Sequence, residues 1–195
     1  MGGCASAPAE KYETTKEVAD LKAQAGAGVI CTLFFPDAKL PCRNARQPGG
    51  CRRQHCDYAH DATNLTRFLD YLASAKSTLD ICVFTITNDD IADVVLDCHR
   101  RGVKVRIITD NDQATTTGSD INKFRQAGIP VRQDNTPAHM HHKFAIIDGR
   151  LLMNGSFNWT RQAVTSNNEN VTVLADVTLI KSFQAQFDKL WAQFK

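Results

Sequence analysis

The chain has 195 residues, 43% hydrophobic and 23% charged, a size and balance that fit one globular domain with a real core and short appended segments. A net charge of +2 neither requires nor forbids a polyanionic partner, so any preference for nucleic acid or lipid headgroups must come from local patches. No run approaches the roughly 18 apolar residues of a membrane-spanning helix, and an odd number of cysteines without a secretory signal points to metal ligation in a reducing compartment rather than a disulfide framework.

Residues 1–28 hold few large apolar groups and read as a flexible tether, with a fraying helix around residues 16–24. The opening Met1-Gly2-Gly3-Cys4-Ala5-Ser6 matches the pattern for myristoylation of Gly2, with Cys4 as a neighbouring palmitoylation site. Two acyl chains would hold the protein stably at a membrane surface, where one would not. Residues 29–61 are rich in Pro, Gly, Arg and Cys and read as a small metal-held module. Within it Cys42, Cys51, Cys56 and His60 supply three thiolates and an imidazole, a closed tetrahedral set for structural zinc. The spacing resembles a CCCH zinc finger, a class often bound to single-stranded RNA. Arg43, Arg46, Arg52, Arg53 and Tyr58 offer phosphate contacts and a stacking ring, so RNA contact and a purely structural clip both stay open. Cys31 reads as a buried thiol and His55 as exposed.

From residue 62 to 195 helices and strands alternate. Leu65, Phe68, Leu69 and Leu72 recur at helical spacing, and residues 79–86 form a nearly continuous apolar strand. A helix capped by Asn88 or Asp89 carries Ile91, Val94, Val95 and Cys98 and stops at Gly102; residues 103–109 form another buried strand. Two βα units in succession predict an α/β fold with a parallel sheet under helices. A helix over about 119–127, a short strand at 131–133, a hairpin turning at Asp148-Gly149, a strand at 170–174 and an amphipathic C-terminal helix complete the chain. No internal repeat is present.

The chemistry concentrates around the hairpin. Strand alternation puts His141 and Lys143 on one face, and a two-residue turn would pair Ile147 with Arg150, setting Ser156 opposite His141 and Asn154 opposite Lys143, with Asn158 just beyond. Asp148 falls on the other parity and reads as structural. A neutral imidazole is nucleophilic near physiological pH, and Lys143, Ser156 and Asn158 can neutralise or hydrogen-bond non-bridging oxygens. The set suits attack on a phosphodiester, and no carboxylate cluster asks for a catalytic metal. His139 shares the parity of His141, but no third ligand lies nearby in sequence, so it reads as structural or as a substrate contact. His99 reads as solvated.

The segment matches H-x-K-x4-D-x6-G-S-x-N throughout, and on that pattern the chain is identified as a member of the phospholipase D superfamily. The resemblance implies an α/β/α sandwich, His141 as nucleophile, Lys143 and Asn158 as phosphate ligands, Ser156 as a supporting donor, Asp148 as the family aspartate and Glu169 as the carboxylate that orients the histidine. A phosphohistidine route needs a second proton-carrying group; with one motif per chain, it is expected from a second copy in a two-fold homodimer. The single motif, the cysteine module, Phe34-Phe35-Pro36 and Met140-His141-His142-Lys143 resemble cardiolipin hydrolases of the Zucchini type from about Leu33 onward. That branch implies a homodimer facing the cytosol on the mitochondrial outer membrane. It also implies either hydrolysis of cardiolipin to phosphatidic acid or endonucleolytic cutting of single-stranded RNA in piRNA biogenesis. A non-specific bacterial-type nuclease and an inactive RNA-binding adaptor are the alternatives. The branch carries a transmembrane anchor where this chain has Met1-Gly2-Gly3-Cys4, so attachment is expected through lipid.

Overall fold

Strand β2 (Thr78–Val83) buries Leu79, Ile81 and Val83 toward one layer and Cys82 toward the other, as its near-continuous apolar run demands. It lies inside a seven-stranded sheet in the computed structural model, which describes residues 28–195. The acylation candidates Gly2 and Cys4 lie outside the described residues. The other strands are β1 (Val29–Phe35), β3 (Lys104–Thr109), β4 (Val131–Gln133), β5 (Lys143–Ile147), β6 (Leu151–Gly155) and β7 (Glu169–Leu174), in the order β1-β7-β6-β5-β2-β3-β4. β2, β3 and β4 run parallel, as the βα units predict; the hairpin and its neighbours pair antiparallel, so the sheet is mixed.

Helices cover both faces. On one side lie α1 (Asn64–Ala73), opened by a Thr63–Thr66 capping box, and α2 (Asp89–Arg100), capped by Asn88. Their apolar stripes enclose Leu33, Leu79, Ile81, Ala145, Met153, Val171 and Val173. On the other side α6 (Val177–Gln193), capped by Asp176, sets Ile180 and Phe187 over Cys82, Ile108, Phe144, Ile146 and Leu152. Three short helices, α3 (Asn111–Ala114), α4 (Ile121–Gln126) and α5 (Arg161–Thr165), sit in the connections. His99, expected to be solvated, is half-buried and lies 3.1 Å from the Ala127 carbonyl at the end of α4.

Two local differences from the sequence reading matter. Residues 29–35, grouped there with the cysteine module, form the edge strand β1, paired with β7 from Val29↔Leu174 to Phe35↔Glu169. The hairpin turn has φ of 53° at Asp148 and 60° at Gly149, with the Arg150 N–H donating to Ile147 O at 2.9 Å, as a type I′ turn does. Arg150 is nevertheless left over: Ile147 pairs with Leu151 and Phe144 with Asn154, one residue out of the expected register. The ladder therefore does not set Asn154 against Lys143 or Ser156 against His141.

Candidate active site

His141 emerges from a segment that leads into β5, where the Phe84 N–H donates to the His142 carbonyl at 2.8 Å and prolongs the β2–β5 ladder. Side chains alternate along it. Met140 is buried against Cys82 under α6, while His139, His141 and Lys143 gather at Phe84 on the other face. The His141 ring meets Phe84 edge to face at 4.6 Å, and Lys143 Nζ lies 5.3 Å from the Phe84 centroid. That ammonium is 3.3 Å from both ring nitrogens of His141 and donates to the His141 carbonyl at 3.0 Å. Desolvation, the Lys143 charge and His139 lower the His141 pKa, so its imidazole is held neutral; desolvation likewise lowers Lys143, with Glu169 pulling the other way.

Opposite stands the loop after β6. Gly155 admits no side chain: a Cβ there would lie 2.0 Å from the Asn170 carbonyl, so this close approach of β6 and β7 requires glycine. The same contact presents Ser156, whose N–H donates to Asn170 O at 3.1 Å and whose Oγ accepts from Asn170 N at 3.1 Å and donates to Glu169. Glu169 Oε1 also accepts from Asn167 at 3.1 Å. Among the described residues Glu169 has no hydrogen bond to His141; it is held against Ser156 instead. Asn158 Oδ1 is buried without a partner, and an orphaned amide oxygen marks a place for a hydrogen-bond donor.

Asp148 stands apart at the far end of β5. Its carboxylate accepts from the N–H groups of Lys76 (2.9 Å), Ser77 (2.7 Å) and Thr78 (2.9 Å), fastening the hairpin to the start of β2.

Two features were not legible in the sequence. Phe84, at the end of β2, is the ring on which both histidines rest. Asp110, just past β3, accepts from the Met140 N–H at 3.1 Å and lies 3.2 Å from His139 Nδ1. The ligands His139 lacks in sequence are thus present in space, since donor atoms of Asp110, Asp112 and His139 lie within 4.8 Å of one another. The one available signal was position, because ligands of open α/β sheets gather at the carboxyl ends of parallel strands.

The fold also assembles the cysteine module. Cys42, Cys51, Cys56 and His60 place their donor atoms within 4.8 Å of one another, and the Cys42 and Cys56 sulfurs are 3.7 Å apart. A tetrahedron of zinc–sulfur bonds of about 2.3 Å has an edge of about 3.8 Å, so the four residues fit such an ion. Burial raises the Cys42 thiol, but the Ala45 and Asn44 N–H groups and the neighbouring thiols outweigh it and leave it lowered; at Cys56 the Tyr58 N–H lowers, but burial and the Cys42 and Cys51 thiols outweigh it and leave it raised. Cys82 and Cys98 are buried core thiols pushed up by desolvation.

With this geometry in hand, comparison with known proteins is decisive. The family described as "Cardiolipin synthase, PLD-like domain" matches residues 68–191. The chain belongs to the phospholipase D superfamily. Among superfamily relatives, the mitochondrial cardiolipin hydrolase of Chlamydomonas reinhardtii is 67% identical, over 99% of this chain and 100% of that protein. The human mitochondrial cardiolipin hydrolase is 41% identical over 83% of this chain and 67% of its own length. The crystal structure of the phospholipase D family member Nuc from Salmonella typhimurium superposes with a TM-score of 0.64 at 29% identity, covering 68% of this chain and 90% of Nuc. The protein is thus a phospholipase D superfamily hydrolase with that fold. No helix among the described residues is long and apolar enough to cross a membrane.

Proposed function

We propose that the protein is a homodimeric phosphodiesterase that hydrolyses cardiolipin to phosphatidic acid through a covalent phosphohistidine at His141. The observation that carries this reading is the Lys143 ammonium 3.3 Å from an imidazole held neutral. A neutral imidazole attacks phosphorus, and the ammonium beside it takes up the charge that grows on the non-bridging oxygens. Asn158 holds a further oxygen, and the Ser156 hydroxyl, which donates to Glu169 in the free site, turns to donate to the phosphate when it binds. Phosphorus bonds to the His141 nitrogen as the leaving oxygen departs with a proton; water then displaces the imidazole, giving the phosphomonoester. The catalytic steps use no metal, and zinc on Cys42, Cys51, Cys56 and His60 is structural.

His141 and Ser156 are exposed, so one chain holds half a cleft. A two-fold partner closes it and, by the count of motifs, supplies a second His141 as proton carrier. Phe34, 66% exposed and paired with Asn170 beside Ser156, is the apolar group that such a partner covers. Relatives named mitochondrial cardiolipin hydrolases support a mitochondrial site for this activity. Acylation of Gly2 and Cys4 attaches this chain to the cytosolic face of the outer membrane.

A second reading, cutting of single-stranded RNA in the Zucchini manner, draws on a cleft of about 370 Å³ beside the cysteine module, where Arg43, Arg53, Arg161 and Tyr58 converge. The test incubates purified protein with cardiolipin vesicles and with labelled single-stranded RNA, beside His141→Asn. Phosphatidic acid release that His141→Asn abolishes is expected, with an acid-labile, alkali-stable phosphoenzyme in the active protein. Cleavage of RNA alone selects the second reading, and activity on neither leaves the RNA-binding adaptor.

A further inference from the structure

Beyond the residues the superfamily pattern accounts for, one ionisable pair faces the same ring as the nucleophile. Asp110 is wholly buried, and its oxygens are occupied: Oδ1 accepts from the N–H groups of Asp112 (3.0 Å) and Gln113 (3.3 Å), and Oδ2 from Met140 N–H and His139 Nδ1. Such a carboxylate fixes the tautomer and orientation of its imidazole partner. Nδ1–H is committed to Asp110, which leaves Nε2 to meet a ligand from an exposed side chain. His139 and His141 both rest edgewise on Phe84, at 5.5 and 4.6 Å, and two residues of extended chain separate them by roughly 6.5 Å.

We propose that His139, oriented by Asp110, binds the second phosphate of a substrate carrying two, and so makes the site prefer cardiolipin over a phospholipid with a single phosphate. This deepens the cardiolipin reading above and rests on it. Cardiolipin joins its two phosphates through one glycerol, a bridge of two oxygens and three carbons short enough to serve two rings that rest on the same Phe84. With one phosphate held by His141, Lys143 and Asn158, the other reaches Nε2 of His139. There each ring nitrogen has an oxygen acceptor to meet, the Asp110 carboxylate at Nδ1 and the phosphate at Nε2, an arrangement that makes a charge-assisted hydrogen bond. His139 makes no bond to the reacting phosphorus; its effect belongs to binding.

The test measures hydrolysis of cardiolipin and of phosphatidylglycerol, each in phosphatidylcholine vesicles of matched surface charge, by wild type, His139→Gln and Asp110→Asn. Because His139 is exposed, its variant is expected to fold, which a thermal melt verifies. The expected result is a wild-type preference for cardiolipin that His139→Gln loses roughly tenfold, the worth of one such hydrogen bond, through KM, with a several-fold smaller change on phosphatidylglycerol. Asp110→Asn, where it folds, loses the same preference. Equal loss on both lipids, or no loss on either, overturns the proposal. So does activity abolished by a chelator and restored by Mn²⁺, which makes Asp110, Asp112 and His139 a cation site. Wild type inactive on cardiolipin overturns the substrate reading itself, a result distinct from wild type active without preference.

Discussion

Lys143 and His141 share a small space, and each sets the other's working range. The histidine pKa is lowered by desolvation, by the Lys143 charge and by His139, so the imidazole stays neutral to lower pH than the ordinary value of about 6.5. The lysine is lowered by desolvation, so its charge is lost before the usual value of about 10.4. A bell-shaped kcat/KM is therefore expected, with its acid limb, from the nucleophile, below the ordinary histidine range and its alkaline limb set by whichever proton is lost first, that of the second histidine or that of Lys143. Lys143→Ala removes the repelling cation, so the acid limb moves to higher pH while the maximum falls by about 10²–10³. A pH–rate profile on a soluble diester checks both. An acid limb that stays put in the variant shows that Lys143 does not act on His141.

At the scale of elements, β5 carries two functions at its two ends. One end delivers His141 and Lys143 to the surface, and the other is tied down by Asp148. Three backbone N–H groups converge on that carboxylate. Asp148→Ala leaves them unpaired and is expected to cost about 1–3 kcal/mol of stability, read by urea denaturation, with kcat per folded molecule little changed. A collapse of kcat in the folded variant would instead tie Asp148 to the chemistry. The strand's position is legible in the sequence, because a hydrophobic run next to Asp148-Gly149 has few other ways to fold. The register is not: a single unpaired Arg150 shifts every partner by one, and nothing in the local residue types distinguishes a two-residue loop from the bulged form.

At the scale of the whole molecule, the open site and the cysteine module make separate demands. Phe34→Glu puts a charge on the face assigned to the partner; sedimentation is expected to show a monomer, with hydrolysis of cardiolipin lost alongside. A variant that stays dimeric places the interface elsewhere. The module is closed on itself by the paired Pro41 and Ala59 and held to the body by Arg46, whose guanidinium meets the buried Asp70 at 2.6 Å. Cys42→Ser, or chelation, is expected to raise amide exchange across residues 40–60 and lower the melting temperature, while a small soluble diester is still hydrolysed.

Most of the element order, the α/β character and the shared face of His141 and Lys143 were readable from residue order alone. They depend on local quantities: apolar periodicity, caps such as Asn88 and Asp176, glycine at the turn, and a motif whose spacing is itself a strand and a loop. Tertiary structure decided what depends on distant segments meeting. The sheet recruited residues 29–35 as a partner for β7, Gly155 was demanded by the Asn170 backbone, and Asp110 was brought to His139 across 29 positions. Such contacts leave no periodic trace, because each is one pair of residues whose encounter is set by the packing of entire elements.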